Sequence, residues 1–222
     1  MDDRDGVQEG VEGMDDRDGV DVLLLDVGGV IVPPANPAAV ARVERALGLV
    51  TGELGALLYE WEPWYALSTG RTDVAAYWAA LGARVGWEPA ALASLLRPVW
   101  EPAGIDPEVI GLVRAVRSRM RVAVLSNATL ALERQLAGFG VRDLFDPIIN
   151  SARVGLRKPD PRIFQHAIDV LGVPANRILF VDDKQRNTRV AEDLGIPGVV
   201  YTAAPDLRDA LMRCHLLPPG TL

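Results

Sequence analysis

Asp26 lies near the end of a continuous apolar run, residues 22–27 (VLLLDV), and Gly28-Gly29 follow directly. A carboxylate held there, beside residues with no side chain, has open space around it and suits a nucleophile or a metal ligand. A second run, RVAVLS, ends at Ser126 and is followed by Asn127, and another, ILFV, leads into Asp182-Asp183. Between them lies Lys158, in the stretch Gly155-Leu156-Arg157-Lys158-Pro159-Asp160. Three carboxylates in one crevice repel strongly unless a cation sits among them. Hard carboxylate oxygens with no histidine or cysteine nearby favour Mg2+. Lys158 can neutralise remaining charge and hold an anion, and Ser126 supplies a hydroxyl donor. Each residue alone has a plainer role: a turn at Ser126-Asn127, a helix cap at Asp183, a solvated charge at Lys158. Their joint placement, in order, at successive strand ends is what points to a site.

Those positions are useful only if a sheet aligns the strand ends. The apolar runs at residues 22–27, 121–126, 178–181 and 198–201, with a weaker one at 147–150, read as strands buried on both faces. Helices are expected between them. Asp106-Pro107-Glu108 opens one that reaches about Met120, and Asp160-Pro161 another that Gly172 closes. Further helices are expected over residues 184–194 and 205–214. Strands alternating with helices predict an α/β fold around a parallel, Rossmann-like sheet, in whose crevice ligands bind beyond the carboxyl ends of the strands.

Between the first strand and Arg121 no strand pattern occurs. Helical patterns cover residues 37–47, 52–66, 72–85 and 89–100 instead, and all five tryptophans (Trp61, Trp64, Trp78, Trp87 and Trp100) lie within residues 37–103. Residues 35–103 are therefore expected to form a small inserted helical cap, with residues 20–34 and 104–222 as the core. The tryptophans suit the core of a small bundle. Side chains facing a substrate are expected among Glu60, Trp61, Trp64, Tyr65 and Arg71.

Composition removes several alternatives. The chain has 222 residues, 23 Lys and Arg against 30 Asp and Glu, two histidines and the single Cys214. An internal disulfide, a cysteine-based zinc site and a three-histidine site are excluded. The net charge of −7 with no basic patch argues against nucleic acid as a partner. The most apolar stretch, residues 20–34, is interrupted by Asp21 and Asp26 and too short to span a membrane. A soluble cytoplasmic protein is the default expectation, and a homodimer is left open. The segment MDDRDGV at residues 1–7 recurs at 14–20. Residues 1–19 read as a disordered acidic leader, with Met14 as an alternative start.

The ordered set resembles the four motifs of the haloacid dehalogenase-like hydrolase superfamily: Asp26-Val27-Gly28-Gly29-Val30, Ser126-Asn127, Lys158-Pro159, and Asp182-Asp183 with Asn187. The intervals from Asp26 to Ser126, Ser126 to Lys158 and Lys158 to Asp182 are 100, 32 and 24 residues, the first leaving room for a cap. Gly155–Pro159, Val181–Asp183, and Gly70-Arg71-Thr72 leading to Tyr77-Trp78 look most like the bacterial α-D-glucose-1-phosphate phosphatases and the N-terminal phosphatase of soluble epoxide hydrolase. The resemblance implies a phosphatase acting on a small phosphorylated metabolite such as a sugar phosphate. Asp26 would form an aspartyl-phosphate. Mg2+ would bind Asp26, the Gly28 carbonyl and Asp182 or Asp183. Ser126, Asn127, Lys158 and Gly29 would surround the phosphate.

One position departs from the common pattern. Most phosphatases of the superfamily carry a second Asp two residues after the nucleophile, which protonates the leaving group and later activates water. Here that position is Gly28, and general acid–base help is worth roughly 10²–10⁴-fold. Either the leaving group needs little protonation, or another carboxylate such as Glu60 or Glu62 substitutes, or the site is slow or only binds a phosphorylated ligand. The glucose-1-phosphate phosphatases also carry glycine here. A haloacid dehalogenase, which needs no proton donor and no metal, is the competing enzyme class; the Asp182-Asp183 pair favours a metal and hence phosphoryl transfer.

Overall fold

The computed structural model describes residues 19–101 and 104–217. The leader expected over residues 1–19 lies outside them but for Gly19. Strands β1 (Val22–Leu25), β2 (Arg121–Ser126), β3 (Ile148–Asn150), β4 (Ile178–Asp182) and β5 (Gly198–Val200) form a parallel sheet in the order β3-β2-β1-β4-β5. Each coincides closely with an apolar run read from the sequence.

Successive residues of β1 serve opposite layers, as the two-residue period of a strand requires. Leu23 and Leu25 pack with Val122, Val124, Leu179 and Val181 under helices α6 (Pro107–Val116), α7 (Leu132–Gly138) and α11 (Ala204–Arg213). Val22 and Leu24 face the other way, with Ala123, Leu125 and Phe180, against α9 (Pro161–Leu171) and α10 (Gln185–Asp193). The result is a helix–sheet–helix sandwich. The anticipated caps form: Asp106 Oδ1 accepts from the Glu108 amide at 2.8 Å, and Asp160 Oδ1 from that of Arg162 at 2.9 Å.

Register decides what meets at the carboxyl edge. Leu25 is level with Val124 on one side and Val181 on the other, so Asp26 comes out beside Asp182, with the Asp26 amide donating to the Val181 carbonyl at 2.9 Å. The short helix α8 (Ser151–Val154) follows β3 at the same edge.

The segment between β1 and α6 folds as α1 (Pro37–Leu47), α2 (Glu53–Tyr59), α3 (Glu62–Ser68), α4 (Val74–Val85) and α5 (Pro89–Trp100). It buries its own cluster, including Leu58, Trp64, Tyr77, Leu81, Leu92 and Leu96. The chain returns at Asp106, whose amide donates to the Ile31 carbonyl at 2.8 Å. Gly70, at φ +70°, comes so close to α8 that a Cβ would lie 2.2 Å from the Ala152 carbonyl oxygen.

Three sequence readings change. The helix expected over residues 52–66 is two, because Pro63 has no N–H to donate and its ring would clash with the carbonyl four residues earlier; the chain breaks at Glu60-Trp61 and restarts. Helix α6 stops at Val116, not near Met120, since the chain must turn to enter β2 at Arg121. Helices α7 and α8 were not anticipated; each is at most two turns long, too short to show helical periodicity.

Candidate active site

Asp26 is buried just beyond β1 and its Oδ1 accepts from the Val27 amide at 2.6 Å. Lys158 is 1% exposed. Its Nζ lies 3.0 Å from Asp26 Oδ1 and 2.6 Å from Asp182 Oδ2, so one ammonium bridges two strand ends. Burial alone would weaken that ammonium, but the charges of Asp26 and Asp182 outweigh it and hold its pKa above the usual lysine value. Burial pushes the Asp26 carboxyl up, and Asp182 adds to that, with Lys158 opposing. A buried charge of this kind persists only because it is paired.

The two neighbouring aspartates have different surroundings. Asp182 is fully buried and saturated: besides Lys158 on Oδ2, its Oδ1 accepts from the Lys184 amide at 2.9 Å and from Asn187 Nδ2 at 2.8 Å. Asp183 is half-buried, and its Oδ1 is shut off from solvent with no hydrogen-bond partner. Burial and the Asp26 charge push the Asp183 carboxyl up to about 6. Oxygens of Asp26, Asp182 and Asp183 all lie within 4.8 Å of one another. Three carboxylates against one ammonium, with one buried oxygen orphaned, are the donor set a hard divalent cation takes.

The two glycines after the nucleophile differ as well. Gly29 has φ +87°, and a Cβ on it would lie 2.6 Å from Asp183 Cγ, so Asp183 occupies the space a side chain would need. Gly28 is not in the left-handed region, and a Cβ there would meet nothing within 4 Å.

The Asn127 side chain closes on Lys158: Nδ2 donates to the Lys158 carbonyl and Oδ1 accepts from the Lys158 amide, each at 2.8 Å. Only the Asn127 backbone N–H remains available for an anion. Ser126 ends β2, buried, at the same edge. Behind it, Ser151 Oγ accepts from the Ala128 amide at 3.0 Å and steadies the loop.

Of the cap residues expected to face a substrate, Trp64 is 7% exposed inside the insert's own cluster, and Arg71 pairs with Glu62 at 3.0 Å on the surface. Trp61 packs on Tyr77, with the Arg84 guanidinium 4.8 Å over its ring. Glu60 and Tyr65 do reach the core. Arg186 Nη1 donates to Glu60 Oε1 at 3.3 Å, and the Arg157 guanidinium lies 4.1 Å over the Tyr65 ring. Neither arginine was singled out from the sequence; the only signal was that each adjoins a motif.

The sequence model of the haloacid dehalogenase-like hydrolases matches residues 20–195, from β1 past the Asp182-Asp183 pair. The chain belongs to this hydrolase family. It is 26% identical over 193 residues to a sesquiterpene phosphatase of Aspergillus oryzae, covering 86% of this hydrolase and 91% of that protein. It is 27% identical to a phosphoserine phosphatase of Thermus thermophilus, covering 86% and 96%. In fold the hydrolase is similar to a HAD-family enzyme of Bacteroides thetaiotaomicron solved with magnesium and inorganic phosphate, at a TM-score of 0.65, 20% identity, and 83% and 94% coverage. Among the described residues no helix is long and apolar enough to cross a membrane.

Proposed function

We propose that this hydrolase is a Mg2+-dependent phosphatase that transfers the phosphoryl group of a small phosphorylated metabolite to Asp26 and then to water. The observation that carries this reading is the uneven use of the acidic cluster. Asp182 is saturated and holds Lys158, whereas Asp183 keeps a buried oxygen without a partner beside Asp26. Asp26, Asp183 and the Gly28 carbonyl would hold the cation, with Asp182 supporting Lys158. When bound, the cation supplies positive charge to the phosphoryl oxygens. The phosphatase names of the two relatives, and the magnesium and phosphate bound by the Bacteroides neighbour, support the assignment.

The Val27 amide and Lys158 both act on Asp26 Oδ1, which leaves Oδ2 to attack phosphorus. Lys158 opposes the effect of burial on Asp26 and balances the incoming phosphate. The Ser126 hydroxyl and the Asn127 backbone N–H orient phosphoryl oxygens, so catalysis rests on positioning and electrostatic stabilisation. Helices α1–α5 act as a cap, docked through Gly70 on α8 and through Glu60 and Tyr65 on the core, and limit the access of water to the aspartyl-phosphate.

Hydrolysis of p-nitrophenyl phosphate with and without Mg2+, alongside Mg2+ binding by calorimetry, tests the reading. Turnover should require Mg2+ and vanish in Asp26→Asn, and Asp183→Asn should weaken Mg2+ binding. Metal-independent halide release from a 2-haloacid, with no phosphatase activity, would transfer the site to the dehalogenase reading.

A further inference from the structure

Two features bear on the leaving group. The first is Gly28, where a side chain would find open space and a permitted backbone, yet no proton donor is supplied. The carboxylates proposed as substitutes are engaged elsewhere: Glu60 with Arg186 at 3.3 Å and Glu62 with Arg71 at 3.0 Å. The second is a pair of arginines on the segments that carry Lys158 and Asp183, both reaching the helical insert. Arg157 directly precedes Lys158, and Arg186 lies in the first turn of α10, three residues after Asp183. Arg157 is half-buried on the Tyr65 ring, and its Nε is shut off from solvent with no hydrogen-bond partner. Burial lowers its pKa; Arg186 adds to that, while Tyr65 and Glu60 oppose it. Arg157 keeps a buried Nε–H unused and Arg186 is held by a single carboxylate of the insert, so fork-shaped donors remain for an anion.

A site with no proton donor for its leaving group, and with arginines on the segments that carry its lysine and its Asp183, fits a leaving group that is itself a stable anion. We propose that the substrate is an organic diphosphate, whose terminal phosphoryl group goes to Asp26 and whose inner phosphate is received by Arg157 and Arg186. This rests on the phosphatase reading above. Asp26 Oδ2 forms a bond to the terminal phosphorus while the bond from that phosphorus to the bridging oxygen breaks. The electron pair stays on the bridging oxygen, which departs as part of an organic monophosphate. Water then attacks the aspartyl-phosphate, Asp26 is regenerated, and the water's two protons end on inorganic phosphate and in solvent. A phosphate leaving group has a pKa of about 6 and needs no proton. An alkoxide is nearly as basic as hydroxide, whose conjugate acid has a pKa of about 15.7, so a carboxylate-bearing alkyl phosphate would satisfy the arginines but not the missing acid.

The test compares kcat/KM for benzyl diphosphate, benzyl phosphate, O-phosphoserine and p-nitrophenyl phosphate, all with Mg2+. The diphosphate should exceed benzyl phosphate by about 100-fold or more, the range general acid help covers. Arg186→Gln, a half-exposed position that tolerates change, should reduce the ratio of diphosphate to benzyl phosphate roughly tenfold, as should Arg157→Gln. Turnover of p-nitrophenyl phosphate without a diphosphate preference, or O-phosphoserine as the better substrate, overturns the proposal and leaves the phosphatase reading standing. A diphosphate preference untouched by both substitutions removes the arginines from the site and overturns it too. No turnover of any of the four overturns both readings.

Discussion

Asn127 and Lys158, 31 residues apart in sequence, exchange two hydrogen bonds of 2.8 Å, with the Asn127 side chain closing on both backbone groups of Lys158. A primary amide has one donor and one acceptor in the geometry a peptide unit presents, so the asparagine stands in for a strand partner. The lysine whose ammonium joins Asp26 to Asp182 is thus held from behind by the end of β2.

Replacing Asn127 by Ala leaves a half-buried N–H and C=O without these partners, at about 1–3 kcal/mol. The melting temperature should fall by about 2–4 °C per kcal/mol in a chain of this size. Turnover should fall further, because Lys158 loses its aim. Asn127→Asp keeps the acceptor but sets an oxygen against the Lys158 carbonyl, so it should not rescue. Wild-type kcat in the Ala variant, measured by steady-state kinetics, would show that the clamp does not position Lys158.

Lys158→Met keeps the volume and removes the charge. Asp26 and Asp182 are then buried close together with no cation between them. Breaking one partner out of a buried charge pair costs about 3–5 kcal/mol. Urea denaturation in EDTA at pH 7 should register a loss of that size, and a stability within about 1 kcal/mol of wild type would show the carboxylates to be neutral already.

The two glycines should respond oppositely. Gly29→Ala forces a Cβ into Asp183 at positive φ, so it should cost about 1–3 kcal/mol and weaken Mg2+ binding in calorimetry. Gly28→Asp has room and an allowed backbone, so the fold should tolerate it. The new carboxyl should accelerate hydrolysis of alkyl phosphates, up to the roughly 10²–10⁴-fold of general acid help, and leave p-nitrophenyl phosphate nearly unchanged. Equal effects on both substrate types would argue that protonation of the leaving group is not what limits the rate.

Away from the site, Asp21 at the start of β1 forms a bidentate pair with Arg177 just ahead of β4, one of its bonds being 2.6 Å. The hydrogen bond from Arg177 holds the Asp21 carboxyl below its usual range, with burial opposing. A carboxylate pKa depressed by folding stabilises above the unfolded value of about 3.9, and the gain disappears as pH falls through the folded value. The pair is partly exposed, so Asp21→Asn should cost only about 0.5–1 kcal/mol at pH 7. Urea midpoints of wild type and variant should converge as the pH is lowered below the unfolded value of about 3.9 and through the folded one; a gap that persists in acid would mean that charge is not its source.

Much of this protein is legible in short stretches of its sequence. Continuous apolar runs mark β1 to β5 because strands covered on both faces must be apolar throughout. Asp106 and Asp160 announce helices because a cap is made by a side chain and amides two or three residues away. Asp26, Ser126, Lys158 and Asp182-Asp183 stand out because an ordered series of strand ends must converge at one edge of a parallel sheet. Pro63 marks the break between α2 and α3 because proline has no N–H to continue a helix.

Tertiary structure alone decided how those residues divide the work. Asp182 and Asp183 are chemically identical and adjacent; only the pleat of β4 and the register with β1 turn one onto Lys158 and Asn187 and leave the other with an unused oxygen. Nothing local shows that the Asn127 side chain closes on a lysine 31 residues away. The meetings of Arg157 with Tyr65 and of Arg186 with Glu60 depend on how the helical insert is docked on the core. Hydrogen bonds and ion pairs act over about 3 Å in space whatever the separation along the chain. A sequence can therefore display the donors and acceptors, but their pairing is settled only when packing fixes which of them are neighbours.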